Sequence, residues 1–127
     1  GVYWLQQSKS PTGNREWNKQ LLDDTWSQAH ASALVDLTGD GRPELLTGKR
    51  FLAHNGRDPG GREPLGVYWY ENFRDGEKTV WARHIAFFGG QIGTGMQIPV
   101  LDFDRDGDLD FVMAGKSGFF LIENRTR

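Results

Sequence analysis

The chain has 127 residues, a formal net charge of −2, 37% hydrophobic and 13% aromatic residues. That length suits one domain with a packed core, while the charge balance and the lack of a basic stripe argue against a nucleic-acid surface. No run approaches the roughly 18 apolar residues of a membrane-spanning helix, and cysteine is absent, so disulfides play no part and the redox compartment stays open.

Gly1-Val-Tyr-Trp-Leu-Gln-Gln7 opens directly on an apolar strand, so no signal peptide is expected here. With 17 Gly and five Pro as punctuation, short strands are expected rather than long helices. A first strand at about 31–35 leads into Asp36-Leu-Thr-Gly-Asp-Gly-Arg-Pro-Glu44, and a second strand follows at 44–47. After Gly48-Lys49 comes a stretch, 50–65, rich in Gly, Pro and charge. Gly66-Val-Tyr-Trp-Tyr-Glu-Asn72 then repeats the opening run, and 79–86 reads as a Trp-containing strand. Gly89-Gly-Gln-Ile-Gly-Thr-Gly95 lacks the Lys-Ser/Thr ending of a phosphate loop and opens no helix. It reads as a connection whose glycines permit close backbone contact. A strand at 97–101 enters Asp102-Phe-Asp-Arg-Asp-Gly-Asp-Leu-Asp110, and a further strand at 109–114 precedes Gly115-Lys116 and Gly118-Phe-Phe-Leu-Ile-Glu-Asn124.

The acidic run is the richest feature. Five carboxylates stand at alternate positions from Asp102 to Asp110, and Gly107 lies among them. Like charges this close repel unless a hard cation gathers them. Calcium takes roughly 6–8 oxygen ligands, which the EF-hand loop draws from positions 1, 3, 5, 7 and 9, with Gly at 6. Here Asp102, Asp104, Asp106 and Asp110 fill positions 1, 3, 5 and 9, and Asp108 at position 7 would offer its backbone carbonyl. An EF-hand also needs a bidentate Glu at position 12 and a following helix. Met113 stands there, inside the apolar run Leu109, Phe111, Val112, Met113, so the loop joins two strands instead.

The run has an ungapped counterpart in residues 36–44, with Asp36, Thr38, Asp40, Arg42 (through its carbonyl) and Glu44 at the same positions. Thr38 and Glu44 replace two aspartates, so this loop is expected to hold calcium more weakly, since ligand charge tunes affinity. The Gly-aromatic run occurs three times, and Gly48-Lys49 matches Gly115-Lys116. A third echo sets Thr25-Trp26 through His30 against Val80-Trp81 through His84, with one inserted residue. On that alignment Trp26 and Trp81 share a fourth strand, His30 and His84 are equivalent, and Trp17 stands outside the repeats.

Four short antiparallel strands per repeated unit predict an all-β protein built of β-propeller blades. Val-Tyr-Trp-Tyr and Phe-Phe-Leu-Ile show no alternation, as strands covered on both faces do. Residues 1–29 then supply the third and fourth strands of one blade, 30–94 one complete blade, and 95–127 three strands of the next. A propeller closes with roughly 4–8 blades. The chain is therefore expected to be a piece of a larger propeller, or to assemble with other copies; head-to-tail assembly would supply the third strand twice at each joint, which favours a piece.

The loop 102–110, Gly115 and the run Gly118-Phe-Phe-Leu-Ile together resemble the FG-GAP/VCBS repeat of integrin α-subunits, fungal lectins and many secreted bacterial proteins. The resemblance covers nearly the whole chain. It implies a six- to eight-bladed propeller with calcium between the first two strands of a blade, in an extracellular or periplasmic setting. Other blades of the parent protein, or other copies of the chain, are the implied partners.

The stretch 50–65 is an insertion relative to the second repeat, and such loops carry function on rigid scaffolds. Lys49, His54 and Arg57 in or beside it, and Trp17 elsewhere, are candidate ligand-binding residues for a carbohydrate or a protein. His30, His54 and His84 lack metal-ligand spacing. No Gly-x-Ser-x-Gly motif suggests a nucleophile. Asn124-Arg-Thr126 fits a glycosylation acceptor. Two functional readings follow: a calcium-stapled, non-catalytic binding module, or part of a sugar-active lyase or dehydratase that uses Lys49, His54 and the 57–63 loop. A purely structural repeat segment is the third.

Overall fold

A computed structural model describes residues 1–125 of the chain. Thr126 of the glycosylation sequence lies outside them. The protein is all-β and antiparallel, as the sequence predicts. The strands are β1 (Val2–Lys9), β2 (Arg15–Asp23), β3 (Ala29–Val35), β4 (Glu44–Lys49), β5 (Gly66–Asp75), β6 (Lys78–Phe88), β7 (Val100–Leu101), β8 (Asp110–Gly115) and β9 (Gly118–Ile122). They form sheets of two, four and three strands, ordered β1-β2, β3-β4-β5-β6 and β7-β8-β9. Every hydrogen-bonded neighbour is also the neighbour in sequence, so each sheet is a meander. One short 3-10 turn, Ala53–Gly56, interrupts the 50–65 connection. Among the described residues no helix is long and apolar enough to cross a membrane.

The four- and three-stranded sheets share one core. Ala31, Leu46 and Val67 of β3, β4 and β5 meet Phe111 and Met113 of β8, with Leu37 and Ile98 closing the cluster. Leu46, Val67 and Met113 are wholly buried. Strand β5 is covered on both faces over residues 66–70, as its unalternating Val-Tyr-Trp-Tyr run predicts. The glycines opening β5 and β9 have one cause. A Cβ at Gly66 would lie 2.3–2.8 Å from the Tyr68 phenol, and one at Gly118 2.8–2.9 Å from the Phe120 ring. Each aromatic folds back over the glycine two residues before it.

The β1-β2 ribbon attaches through polar and aromatic contacts. Trp4 meets Trp81 edge-on, with ring centroids 5.8 Å apart. Asp23, at the end of β2, is buried against β5 and β6.

The structure corrects three expectations. Trp26 is not in a fourth strand: residues 24–28 lie between β2 and β3. Trp17 is the true counterpart of Trp81, because Gln7 pairs with Trp17 in β1-β2 as Asn72 pairs with Trp81 in β5-β6. A short Thr/Val-Trp echo was weaker than strand register. For the same reason His30, in β3, is not equivalent to His84, in β6. Finally, β9 is not covered on both faces, since it alternates and leaves Phe119 74% exposed.

Candidate metal centre and a cleft at the insertion

The two acidic loops have the same backbone. Left-handed residues stand at positions 4 and 6 of each: Gly39 and Gly41 (φ 73° and 84°), Arg105 and Gly107 (φ 67° and 97°). Equivalent hydrogen bonds also recur. Gly41 N donates to Asp36 and Gly107 N to Asp102, at 2.9 and 3.2 Å. Arg42 N donates to Asp40 Oδ1 and Asp108 N to Asp106 Oδ1, at 2.8 and 3.0 Å. Leu37 N donates to Glu44 Oε2 and Phe103 N to Asp110 Oδ2, at 2.7 and 2.8 Å. Each loop thus closes on a buried carboxylate at the first residue of the following strand, β4 or β8.

Carboxylate oxygens converge in both. Oxygens of Asp36, Asp40 and Glu44 lie within 4.8 Å of one another, as do those of Asp102, Asp104 and Asp106. The two loops differ at position 9. Asp110 has both oxygens occupied, by Phe103 N and by Asn124 N at 2.9 Å. It closes its loop and stays outside the cluster. Glu44 is one carbon longer and wholly buried; its Oε2 accepts from Leu37 N and Thr38 N, while its Oε1 has no hydrogen-bond partner among the described residues. Burial pushes the Glu44 carboxyl above its ordinary value, against the pull of the Leu37 and Thr38 amides, and the charges of Asp40 and Asp36 push it further. A cation among these oxygens removes all three objections.

The remaining expected ligands are placed as follows. Thr38 is exposed and contributes its amide to Glu44. The Arg42 guanidinium pairs with Asp40 Oδ2, a contact a metal would have to share. The Asp108 side chain, nearly buried, shares a hydrogen bond with Asp106. That bond raises the Asp106 carboxyl, with the Asp104 and Asp108 charges adding.

The insertion is anchored rather than free. The Lys49 ammonium, with 2% of its side chain exposed, donates to Ser27 Oγ and Gly60 O, both at 2.6 Å, and reaches Ser27 O and Glu63 Oε2 at 3.3 Å. A lysine has three N–H donors, so Lys49 is consumed in tying the 50–65 stretch to the segment before β3. His54 Nδ1 sits 2.6 Å from Asp58 Oδ2. Arg57 is exposed nearby, and Trp17 stands on β2, 61% exposed. Of these four, Lys49 alone lines the cleft beside the insertion, while His54 and Arg57 share one turn, with Arg57 N donating to His54 O at 3.4 Å. The other histidines have separate partners: His30 Nδ1 contacts Gly95 O at 2.8 Å, and His84 stacks on Trp69 at 3.9 Å and meets Glu71 at 3.0 Å. Among the described residues no metal-binding group includes a histidine. The glycine-rich connection does pack tightly, since a Cβ at Gly95 would meet Ala114 O at 2.1 Å.

Beside the anchored insertion lies a cleft of about 390 Å³, lined by residues of the insertion, the 24–28 segment, β5 and β6, with Lys49 of β4. Behind it runs a polar network that sequence reasoning missed. Asp23 accepts from Thr25 N and Oγ1 (2.8 and 2.6 Å), Tyr70 Oη (2.9 Å) and Arg83 (3.0 Å). Burial pushes its carboxyl up, but these bonds outweigh it and hold the carboxyl below its usual range. Trp26 Nε1 donates to Tyr70 Oη at 2.9 Å. An Asp with Thr two residues on is a local turn signal, but partners 44–60 residues away leave none.

Comparison with protein-family models, with curated proteins and with solved structures finds no match to this chain.

Proposed function

We propose that the chain is a calcium-stapled segment of a β-propeller of the FG-GAP/VCBS kind, serving outside the cytoplasm as a non-catalytic binding module for a carbohydrate or a protein. The observation that carries the metal is Glu44: a wholly buried carboxylate with one unpartnered oxygen, grouped with Asp36 and Asp40. Leaving a buried acceptor unsatisfied costs about 1–3 kcal/mol, more for a charged group, and a hard cation with oxygen ligands relieves it while keeping the carboxylate ionised. The second loop, of the same conformation, supports the same use. Both loops link the first two strands of a meander, so calcium there fixes strand separation and register.

The enzyme reading draws less support. Its groups, Lys49 and His54, are tied to Glu63 and Asp58 and do not face one another across the cleft. The test is calorimetric titration of calcium into the chelator-stripped chain, up to about 10 mM to cover the weak range of extracellular modules. Uptake that falls by one site in Glu44→Gln and by another in Asp106→Asn supports the proposal. No uptake refutes it.

A further inference from the structure

The cleft beside the insertion has features that none of the repeat chemistry requires. Trp26 and Tyr68 form an aromatic wall, with ring centroids 4.7 Å apart. Ile85 and Phe88, 56% and 65% exposed, extend the apolar lining. Tyr68 is 3% exposed, yet its hydroxyl makes no hydrogen bond to a described residue. Burial pushes that phenol above its ordinary value, so it remains a neutral donor.

The charges around the cleft cancel in pairs. Arg83 meets Asp23 at 3.0 Å, and Lys49 meets Glu63 at 3.3 Å. An anionic ligand would compete with two carboxylates for these cations, and a cationic one would meet both cations. Unused hydrogen-bonding capacity remains on each pair: Arg83 donates through NH1 alone, and Glu63 accepts through Oε2 alone. A ligand suited to this lining is neutral, carries a C–H face for the aromatic wall, and offers hydroxyls that both donate and accept.

We propose that this cleft binds a neutral saccharide, with one sugar ring lying against Trp26 and Ile85 and its hydroxyls meeting Tyr68, Arg83 and Glu63. The proposal deepens the binding-module reading and rests on it, but not on calcium, since no lining residue belongs to an acidic loop.

The test follows the Trp26 indole N–H by NMR in the isotope-labelled full chain. Methyl glucoside, galactoside, mannoside and N-acetylglucosaminide are titrated to about 50 mM, with galacturonate as the anionic control, in calcium and again in chelator. At least one neutral glycoside should shift the Trp26 signal saturably, and more strongly than galacturonate. Tyr68→Phe removes only an unpaired hydroxyl and should weaken binding about three- to tenfold, one neutral hydrogen bond. Ile85→Lys, at an exposed position, should block the lining and abolish the shift. Silence from every neutral glycoside, preference for galacturonate, or wild-type binding by both variants would each overturn the proposal. Because the shift is read in both media, loss of calcium binding and loss of sugar binding are separate results.

Discussion

Glu44→Gln is the sharpest probe of the first loop, because the amide keeps the shape of the side chain and removes only its charge. The amide oxygen still accepts from Leu37 N and Thr38 N, at 2.7 and 3.2 Å in the native chain. The loop backbone should therefore survive. In chelator at neutral pH the native carboxylate is buried beside Asp36 and Asp40, and its pKa is raised. An acid with a raised folded pKa stabilises the fold when protonated and loses that contribution as pH rises through the folded value. Metal-free native protein should thus weaken from about pH 4 upward through that titration. The variant should lack this slope. In calcium the order reverses. A ligand binding only the folded state adds about 2.7 kcal/mol at a hundredfold excess over Kd, roughly 8–16 °C in Tm for a domain of this size. The variant forfeits the share due to the first loop. Thermal melting of both proteins, in calcium and in chelator and at several pH values, measures all of this. An equal calcium increment in the two proteins would show that Glu44 holds no metal, and the reasoning from its unpartnered oxygen would fail.

Other perturbations test the frame around the sites. Asp23→Asn should cost about 2–4 kcal/mol by breaking a buried charged network. Because the Asp23 pKa is lowered, its contribution is present above the ordinary aspartate range and lost as pH falls through the folded value; acid melts should show the variant losing less stability than native protein does. Gly66→Ala should destabilise by more than about 1 kcal/mol, because the Tyr68 phenol occupies the methyl position; an unchanged denaturation midpoint would remove the aromatic explanation of that glycine. Arg105→Gly should be neutral or stabilising by up to about 1 kcal/mol, since Arg105 holds φ 67° where the first loop has Gly39. A clear loss on denaturant unfolding would mean that the Arg105 side chain contributes something its backbone does not reveal. Lys49→Met should cost about 3–5 kcal/mol, leaving the carbonyls of Ser27 and Gly60 unpaired, and should open residues 50–65 to proteolysis before the sheets unfold.

What the sequence discloses and what it hides divide along contact range. The acidic loops are legible because their chemistry is local: carboxylates, turn glycines and the start of the following strand lie within nine residues, and the hydrogen bonds that recur in both loops span at most seven. The strand elements are legible for a similar reason, since each meander pairs neighbours in sequence. Equivalences between positions far apart in the fold are not legible in this way. By sequence Trp17 falls outside the repeats, because a short echo points to Trp26, while the true equivalence rests on register, Gln7 with Trp17 and Asn72 with Trp81. Asp110 stands at a ligand position by spacing, and the structure adds what spacing does not show, that its two oxygens accept from amides, one of them fourteen residues away at Asn124.

The same divide separates the repeat from the insertion. The bonds common to the two loops lie within each loop and the residue that opens the next strand, so two copies can differ at position 9 and keep those bonds: each oxygen of the shorter Asp110 accepts an amide, while only Oε2 of the longer Glu44 does. The replacement that looks like a weakening in sequence therefore places a buried, unpartnered oxygen beside Asp36 and Asp40, the feature on which the proposed cation site rests. In the 50–65 stretch the logic runs the other way. The charged residues in and beside it look available, yet Lys49, at its edge, is claimed by Ser27 and Gly60, 22 and 11 residues distant. What that anchoring leaves over is the cleft walled by Trp26 and Tyr68, assembled from the insertion, the 24–28 segment, β5 and β6, which no local pattern brings together.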